Sequence, residues 1–447
     1  MRPVYLILRI LLPYAFTIFF RRRNNIFSQR KLKAQTIFVS NHPSAFIDPL
    51  VAANSQWPII FFMTRSDVFK KWLQPVTWAS HMVPIYRADR DGAGTYEKNK
   101  KVFSGVAKVL KRKKSVILFG EGYTDDTFIR SLKPMKKGAA RLGLGTMDST
   151  DWEHDIKIQP IGLNYSDPSV FRSDTLLVCG DLIFLKDYEK AYKENPAKTV
   201  NDLTKDIGEG IKKNITYIED KKLADFLEHI LILSRRGMNA KEYNAGISME
   251  QRYRYSQKVA NTINENYSKE DPKWLDLKNE TDQYFDELEK ESFTETQVND
   301  FHKAGNKKSL IENFLFLTFL FPLFLVGLVH SLVPYLIVKT MVEKMFKRKV
   351  FWSGVKIMMG GLFFFLYNLP IFWILPKFLP ADIGRWPAYF ICLAYFLIVP
   401  AFTFIWAYKW RSYMRDTLKL IKADKTKLKK YSDWREKLKA KLPDFGF

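Results

Sequence analysis

Thr36-Ile37-Phe38-Val39-Ser40-Asn41-His42-Pro43-Ser44-Ala45-Phe46-Ile47-Asp48-Pro49 is the stretch whose reading decides the fold. Its first four residues are an apolar run, which reads as a short buried strand. The strand gives way to a polar, proline-containing loop, a common seat for functional side chains on a rigid scaffold. That loop sets His42 and Asp48 a few residues apart. A histidine with one ring nitrogen held by a carboxylate can take a proton from a hydroxyl with the other. No serine or cysteine nucleophile motif accompanies the pair, so it points to direct activation of a substrate hydroxyl, without a covalent enzyme intermediate. A lone His near an Asp is more often a loop residue making local hydrogen bonds. The segments downstream change the balance.

Working outward, short β-like runs alternate with helical stretches from about Lys33 to Tyr192. Strands are predicted at Thr36–Val39, Pro58–Met63, Val83–Tyr86, Ser115–Phe119, Lys157–Asn164 and Thr175–Gly180, with helices at Phe69–Trp78, Tyr96–Lys111 and Gly138–Thr146. This alternation predicts an α/β domain, a mixed sheet flanked by helices. Three segments in it carry chemistry. Met82-Val83-Pro84-Ile85-Tyr86-Arg87 is a strand ending in arginine, whose guanidinium suits phosphate, although arginines are also common at strand edges. Phe119-Gly120-Glu121-Gly122-Tyr123-Thr124 flanks a carboxylate with glycines, which allows close backbone approach to a ligand but also fits a plain turn. Leu132-Lys133-Pro134-Met135-Lys136-Lys137-Gly138 places three lysines before a small-residue helix start, an anion site or a solvated basic loop.

These four segments, in this order, resemble the glycerolipid acyltransferases, over roughly residues 35 to 220. The family's histidine–aspartate block is matched by His42 and Asp48, its arginine block by Arg87, its F-P-E-G block by Phe119 to Gly122, and its V-P-hydrophobic strand by Gln159-Pro160-Ile161-Gly162. Here one residue more separates His from Asp than in most members. That spacing, with Gly162 to Tyr165 and Phe171-Arg172-Ser173, looks like the fungal-type glycerol-3-phosphate/dihydroxyacetone-phosphate acyltransferase subgroup. Gly120 stands where proline is usual, and Gln159 where an apolar residue is usual.

The resemblance implies acyl transfer from a thioester, acyl-CoA or acyl-carrier protein, to a hydroxyl of glycerol 3-phosphate or lysophosphatidate. His42 would be the general base and Asp48 its orienting partner. Arg87 and Lys136 would hold the acceptor phosphate, and Glu121 would position its hydroxyl beside Gly122. Backbone N–H groups near Gly120 to Gly122 would serve the oxyanion. No cofactor or metal is implied beyond the acyl-CoA or carrier-protein co-substrate. Another lyso-lipid acceptor, or a non-enzymatic lipid-binding membrane protein, are the competing readings.

Composition fits a lipid partner. Of 447 residues, 71 are Lys or Arg and 47 Asp or Glu, a net charge of +24 that favours anionic partners. Phe alone accounts for 36 residues, beside basic clusters, which favours membrane over nucleic acid, and no nucleic-acid motif is apparent. Only Cys179 and Cys392 are present, which excludes a disulfide framework or a cysteine zinc site.

Val4 to Phe20 is almost wholly apolar and is followed by Arg21-Arg22-Arg23, which predicts an uncleaved membrane anchor or interfacial helix with the arginines at lipid headgroups. Asn313–Val338, Phe351–Leu375 and Trp386–Tyr408 each exceed the roughly 20 residues that span a bilayer. Basic residues crowd the first connection (Lys339, Lys344, Lys347, Arg348, Lys349) and follow the last run (Lys409, Arg411, Arg415, Lys419). Read together, these predict that both basic segments and the catalytic domain face the cytoplasm, with Asn313–Val338 folding as a re-entrant or broken hairpin whose two ends lie there. The expected order is an anchor at 1–30, a catalytic domain at 31–220, a charged helical extension at 221–308, a transmembrane region at 309–410 and a basic tail at 411–447.

Overall fold

Most of the apolar runs expected as strands are strands in the computed structural model, which describes residues 3–27, 35–55, 60–86, 91–239, 246–267, 270–301, 307–418 and 423–445. In chain order they are β1 (Phe20–Phe27), β2 (Thr36–Ser40), β3 (Ile60–Arg65), β4 (Met82–Ile85), β5 (Ser115–Phe119), β6 (Lys157–Tyr165), β7 (Ser173–Cys179) and β8 (Ile183–Phe184). The helices are α1 (Pro3–Phe19), α2 (Ile47–Ser55), α3 (Gln74–Ala79), α4 (Thr95–Lys111), α5 (Gly138–Asp148), α6 (Glu189–Glu194), α7 (Pro196–Lys213), α8 (Ala224–Ser234), α9 (Met249–Tyr267), α10 (Pro272–Lys290), α11 (Glu295–Asn299), α12 (Lys307–Phe319), α13 (Phe321–Met345), α14 (Trp352–Ile374), α15 (Arg385–Ser412) and α16 (Lys425–Lys441). The chain divides into two units, one of Met1–Ala224 with Ser248–Asn261, the other of Asp225–Ile247 with Thr262–Phe447.

The first unit is built on one mixed sheet in the order β1-β7-β6-β2-β5-β3-β4, with β8 beside β6. β6 runs antiparallel to β7 and β8, and the other pairs are parallel. β2 is buried at all five positions, as a central strand covered on both faces must be. On one face Ile37 and Val39 meet Leu142 and Leu144 of α5, and Leu203, Ile207 and Ile211 of α7, in the main core. The strands β2, β5, β3 and β4 are neighbours and all parallel, so their carboxyl ends line one edge, where open α/β sheets place ligands.

The amino-terminal segment differs from the expected anchor. α1 buries Tyr5, Leu12 and Phe16, and Arg9 donates to the Ala53 carbonyl at 2.6 Å. It then runs into β1, an edge strand parallel to β7. Arg22 grips the buried Asp174 carboxylate through Nη2 (2.8 Å) and Nε (3.3 Å), and Arg21 reaches it at 3.5 Å. These two arginines therefore serve the fold, because a buried carboxylate must be paired. The outer face of α1 still exposes Leu6, Ile10 and Leu11.

In the second unit, Tyr284 and Leu288 of α10, Val298 of α11, and Leu428, Tyr431 and Leu438 of α16 share one apolar cluster. Arg435 of α16 is buried and pairs with Glu295, and it donates to the Leu233 carbonyl at 3.2 Å. Three segments are long and apolar enough to cross a membrane: Phe321–Met345, Lys349–Phe378 and Arg385–Arg415. A buried polar set joins them. His330 of α13 donates through Nδ1 to Asn368 Oδ1 of α14 (2.8 Å) and accepts through Nε2 from the Tyr395 hydroxyl of α15 (2.7 Å). Asn368 Nδ2 donates to the His330 and Phe364 carbonyls, which fixes its amide the other way round from the ring.

Two membrane expectations need correction. Asn313–Val338 does not fold back within itself, because α13 runs unbroken from Phe321 to Met345 with Pro322 in its first turn, where a missing N–H costs nothing. Nor do the two basic segments lie together. Trp406 of α15 donates to the Leu317 carbonyl at 3.1 Å, and the Lys409 ammonium sits 4.3 Å from the centre of the Phe316 ring. The carboxyl end of α15 is thus beside the start of α13, whereas Lys344 to Lys349 follow its far end, about 37 Å away at 1.5 Å per residue. Since α16 packs on α10 and α11, the segments before α13 and after α15 share one side. Single cysteines introduced by Lys347→Cys and Lys437→Cys are expected to react with an impermeant maleimide from opposite sides of sealed vesicles; the native Cys179 and Cys392 are buried. Labelling of both from one side would overturn this arrangement.

Candidate active site

The site begins where β2 ends. The Asn41 side chain forms a two-way bridge to Leu163 of β6, donating to its carbonyl (3.0 Å) and accepting from its N–H (2.8 Å). This ties the start of the loop to the sheet. Ile47 N–H then donates to the Ser44 carbonyl at 3.0 Å, turning the chain into α2. Asp48 falls in the first turn of α2, where a carboxylate meets the positive end of the helix dipole.

His42 and Asp48 are brought together as donor and acceptor, Nδ1 to Oδ2 at 2.8 Å. A carboxylate only accepts, so the Nδ1 nitrogen carries the proton and Nε2 is left with a lone pair. The Ser44 N–H donates to the same Oδ2 at 2.8 Å, and the Tyr165 hydroxyl donates to Oδ1 at 2.9 Å. Asp48 is fully buried, while the His42 side chain keeps 19% of its surface open. Its ring stacks on Phe119 at 4.3 Å and 21°. Burial, aided by the Asp48 charge, pushes the Tyr165 hydroxyl well above its usual range, so it stays protonated and donates.

Glu121 supports the histidine from the other side. Its Oε1 accepts the His42 backbone N–H at 2.6 Å, and its Oε2 accepts Lys133 Nζ at 3.0 Å. Lys133 also reaches Asp125 at 3.3 Å and lies 4.9 Å from the centre of the Tyr123 ring. Glu121 is 1% exposed, so its carboxylate faces protein donors and not open space, a departure from the expected substrate-facing role. Gly120 N–H donates to the Ser40 carbonyl at 2.9 Å, a bond that the proline usual in the resemblance could not make. Gly122 has φ of +75°, in the region that favours glycine, and its N–H donates to the Phe119 carbonyl at 3.1 Å. Two of the N–H groups expected to serve an oxyanion, those of Gly120 and Gly122, are therefore engaged, the first with β2 and the second within the loop.

The cations are placed less uniformly. Lys136 is exposed, and its N–H donates to the Gly120 carbonyl at 2.8 Å, which seats it beside the glutamate loop. Arg87 lies outside the described residues. Its neighbour Tyr86 is clamped by Asn99, which accepts its N–H (2.9 Å) and donates to its carbonyl (2.8 Å). That clamp sits at the carboxyl end of β4, two strands or about 10 Å across the edge from β5. Cys179 is buried, with its thiol pushed up to about 12, so it is no nucleophile.

Sequence reading did not single out Lys133 or Tyr165 as site residues. Lys133 was one of three lysines in a basic loop. A usable signal existed for Tyr165: a tyrosine in a fully buried strand must find a partner for its hydroxyl.

Residues 18–164 match a protein-family model described as Acyltransferase. Over 114 residues the chain is 32% identical to glycerol-3-phosphate O-acyltransferase 1 of Saccharomyces cerevisiae, which covers 26% of this chain and 14% of the yeast protein's length. Residues 18–164 hold the His42–Asp48 pair and the Glu121 loop that the sheet edge presents. Residues 18–164 thus resemble an acyltransferase domain, and part of the chain is similar to a fungal glycerol-3-phosphate acyltransferase.

Proposed function

We propose that this protein is a membrane-bound O-acyltransferase that moves a fatty acyl group from a thioester to a hydroxyl of glycerol 3-phosphate or lysophosphatidate. The observation that carries it is the 2.8 Å bond from His42 Nδ1 to the fully buried Asp48, which leaves the lone pair of Nε2 for a substrate proton. In the reaction, Nε2 takes the hydroxyl proton as the oxygen forms its bond to the thioester carbonyl. The tetrahedral intermediate then breaks its C–S bond, and the imidazolium returns the proton to the leaving thiolate. Acyl-CoA and acyl-carrier protein both supply such a thioester, and the reaction as written draws on no further cofactor. Asp48 holds the tautomer and stabilises the imidazolium as it forms.

The acceptor phosphate is assigned to Arg87 and the exposed Lys136, with Gly122 leaving room for its approach. Glu121 acts here through the His42 backbone and its ion pair with Lys133. The exposed apolar face of α1 suits a seat at the lipid interface. The reading assigns the catalytic domain to the cytoplasmic face, the side that basic residues favour.

Thiol release from acyl-CoA by the purified protein is expected to rise at least about tenfold with glycerol 3-phosphate or lysophosphatidate, and far less with an acceptor lacking phosphate. Thiol release that no acceptor stimulates would sink the assignment and favour a lipid-binding protein.

A further inference from the structure

Asp48 carries one donor more than the orientation of a histidine requires. Oδ2 already accepts His42 Nδ1 and the Ser44 N–H, and among the described residues Oδ1 accepts the Tyr165 hydroxyl, from a strand 117 residues away in the chain. Tyr165 is 0% exposed and lies one residue beyond the segment matched by the family model. Arg130, itself buried, donates to the Tyr165 and Ser166 carbonyls (2.8 and 3.2 Å), so the end of β6 is fixed where it presents the phenol. The Tyr165 ring also stacks on Phe20 of β1 at 6.2 Å and 25°. The ring is therefore anchored apart from its hydroxyl.

We propose that Tyr165 is a positioning residue that sets the orientation of the Asp48 carboxylate and holds down the proton affinity of the His42–Asp48 pair. This deepens the acyltransferase reading and rests on it for its catalytic consequence. A donor on Oδ1 withdraws negative charge from the carboxylate, which then holds an imidazolium less tightly. It also blocks rotation of the carboxylate, because a turned Asp48 would leave the phenol hydroxyl without its acceptor in a buried place. Burial keeps that hydroxyl protonated, so toward the carboxylate it acts as the donor. Other charged groups near His42 among the described residues include Glu121, which meets its backbone N–H, Lys133 behind Glu121, and the exposed Lys136 beside that loop; Arg130 donates to the Tyr165 and Ser166 carbonyls. Phe119 covers one ring face and titrates nothing.

The test uses the full chain in detergent micelles. The rate of His42 modification by diethyl pyrocarbonate, read by peptide mass spectrometry across pH, reports the protonation midpoint of the ring without reference to turnover. In Tyr165→Phe that midpoint is expected to move up, because a carboxylate lacking its donor holds the imidazolium more tightly. The kcat for acyl transfer is expected to fall about tenfold, as for a lost hydrogen bond to a charged group, with KM for both substrates within about twofold. Replacing Tyr165 by 3-fluorotyrosine keeps the ring and strengthens the donor, so it should move the midpoint down and retain turnover. This arm decides the matter should Tyr165→Phe fail to fold. A midpoint unchanged by either substitution overturns the proposal. A shifted midpoint in a protein that transfers no acyl group would leave the tuning intact and sink the acyltransferase reading alone.

Discussion

His42→Ala is expected to lower acyl transfer by about 10²–10⁴-fold, the usual contribution of a positioned general base. Membrane insertion and folding should be unchanged, since the His42 side chain is partly open and its backbone N–H keeps its bond to Glu121. The loss should appear in kcat, with little change in the KM of the acceptor, because the imidazole acts on the proton in flight. Asp48→Asn should cost a comparable amount for a different reason. An amide nitrogen at the Oδ2 position would face two donors, His42 Nδ1–H and Ser44 N–H, and an amide turned to avoid them would set its nitrogen against the Tyr165 hydroxyl. With the nitrogen at the Oδ2 position the ring would be driven toward its other tautomer, with Nε2 carrying a proton and no lone pair to act as a base. Thiol release by purified variants in the presence of a phosphorylated acceptor measures both. Turnover of His42→Ala within a few-fold of the native protein would end the general-base assignment.

How much of this was legible follows from the distance between partners. The central strands β2 and β5 are nearly unbroken apolar runs, which is what burial on both faces demands, whereas β6 is as fully buried but carries Lys157, Gln159 and Asn164. His42 and Asp48 lie six positions apart on one loop, so one line of sequence shows the pair. β1 was hidden because Arg21-Arg22-Arg23-Asn24-Asn25 carries no apolar alternation. It becomes a strand because the carboxylate that neutralises it, Asp174, lies some 150 residues on in β7. The three arginines therefore looked like a headgroup tag. Glu121 was visible as a carboxylate between glycines, but which way it faces depends on Lys133 and on the His42 backbone. The membrane helices were legible by length alone. Their arrangement was not, since it rests on contacts such as Trp406 to Leu317 that join runs nearly 90 residues apart.

Lys133→Met should be the most damaging change to the stability of the first unit outside its apolar core. The substitution keeps the stem volume and removes the cation that pairs with Glu121, whose side chain is 2% exposed. A buried pair broken at one partner costs about 3–5 kcal/mol, because the remaining charge is left uncompensated. In a domain of this size that corresponds to a fall of roughly 10 °C in the apparent Tm. Asp125, the lysine's second partner, is 29% exposed and can turn to water, so it adds little. Removing the other charge as well, in Lys133→Met with Glu121→Gln, should recover most of the lost stability, since a neutral amide can still accept the His42 N–H. The recovery should not extend fully to turnover. The His42 backbone would have exchanged a carboxylate acceptor at 2.6 Å for a weaker one, loosening the loop that aims the imidazole. Thermal unfolding of the two single variants and the double variant closes a cycle whose coupling energy belongs to the pair. A Lys133→Met protein that melts with the native one would show that Glu121 is neutral or solvated, and the clamp on His42 would have to be sought elsewhere.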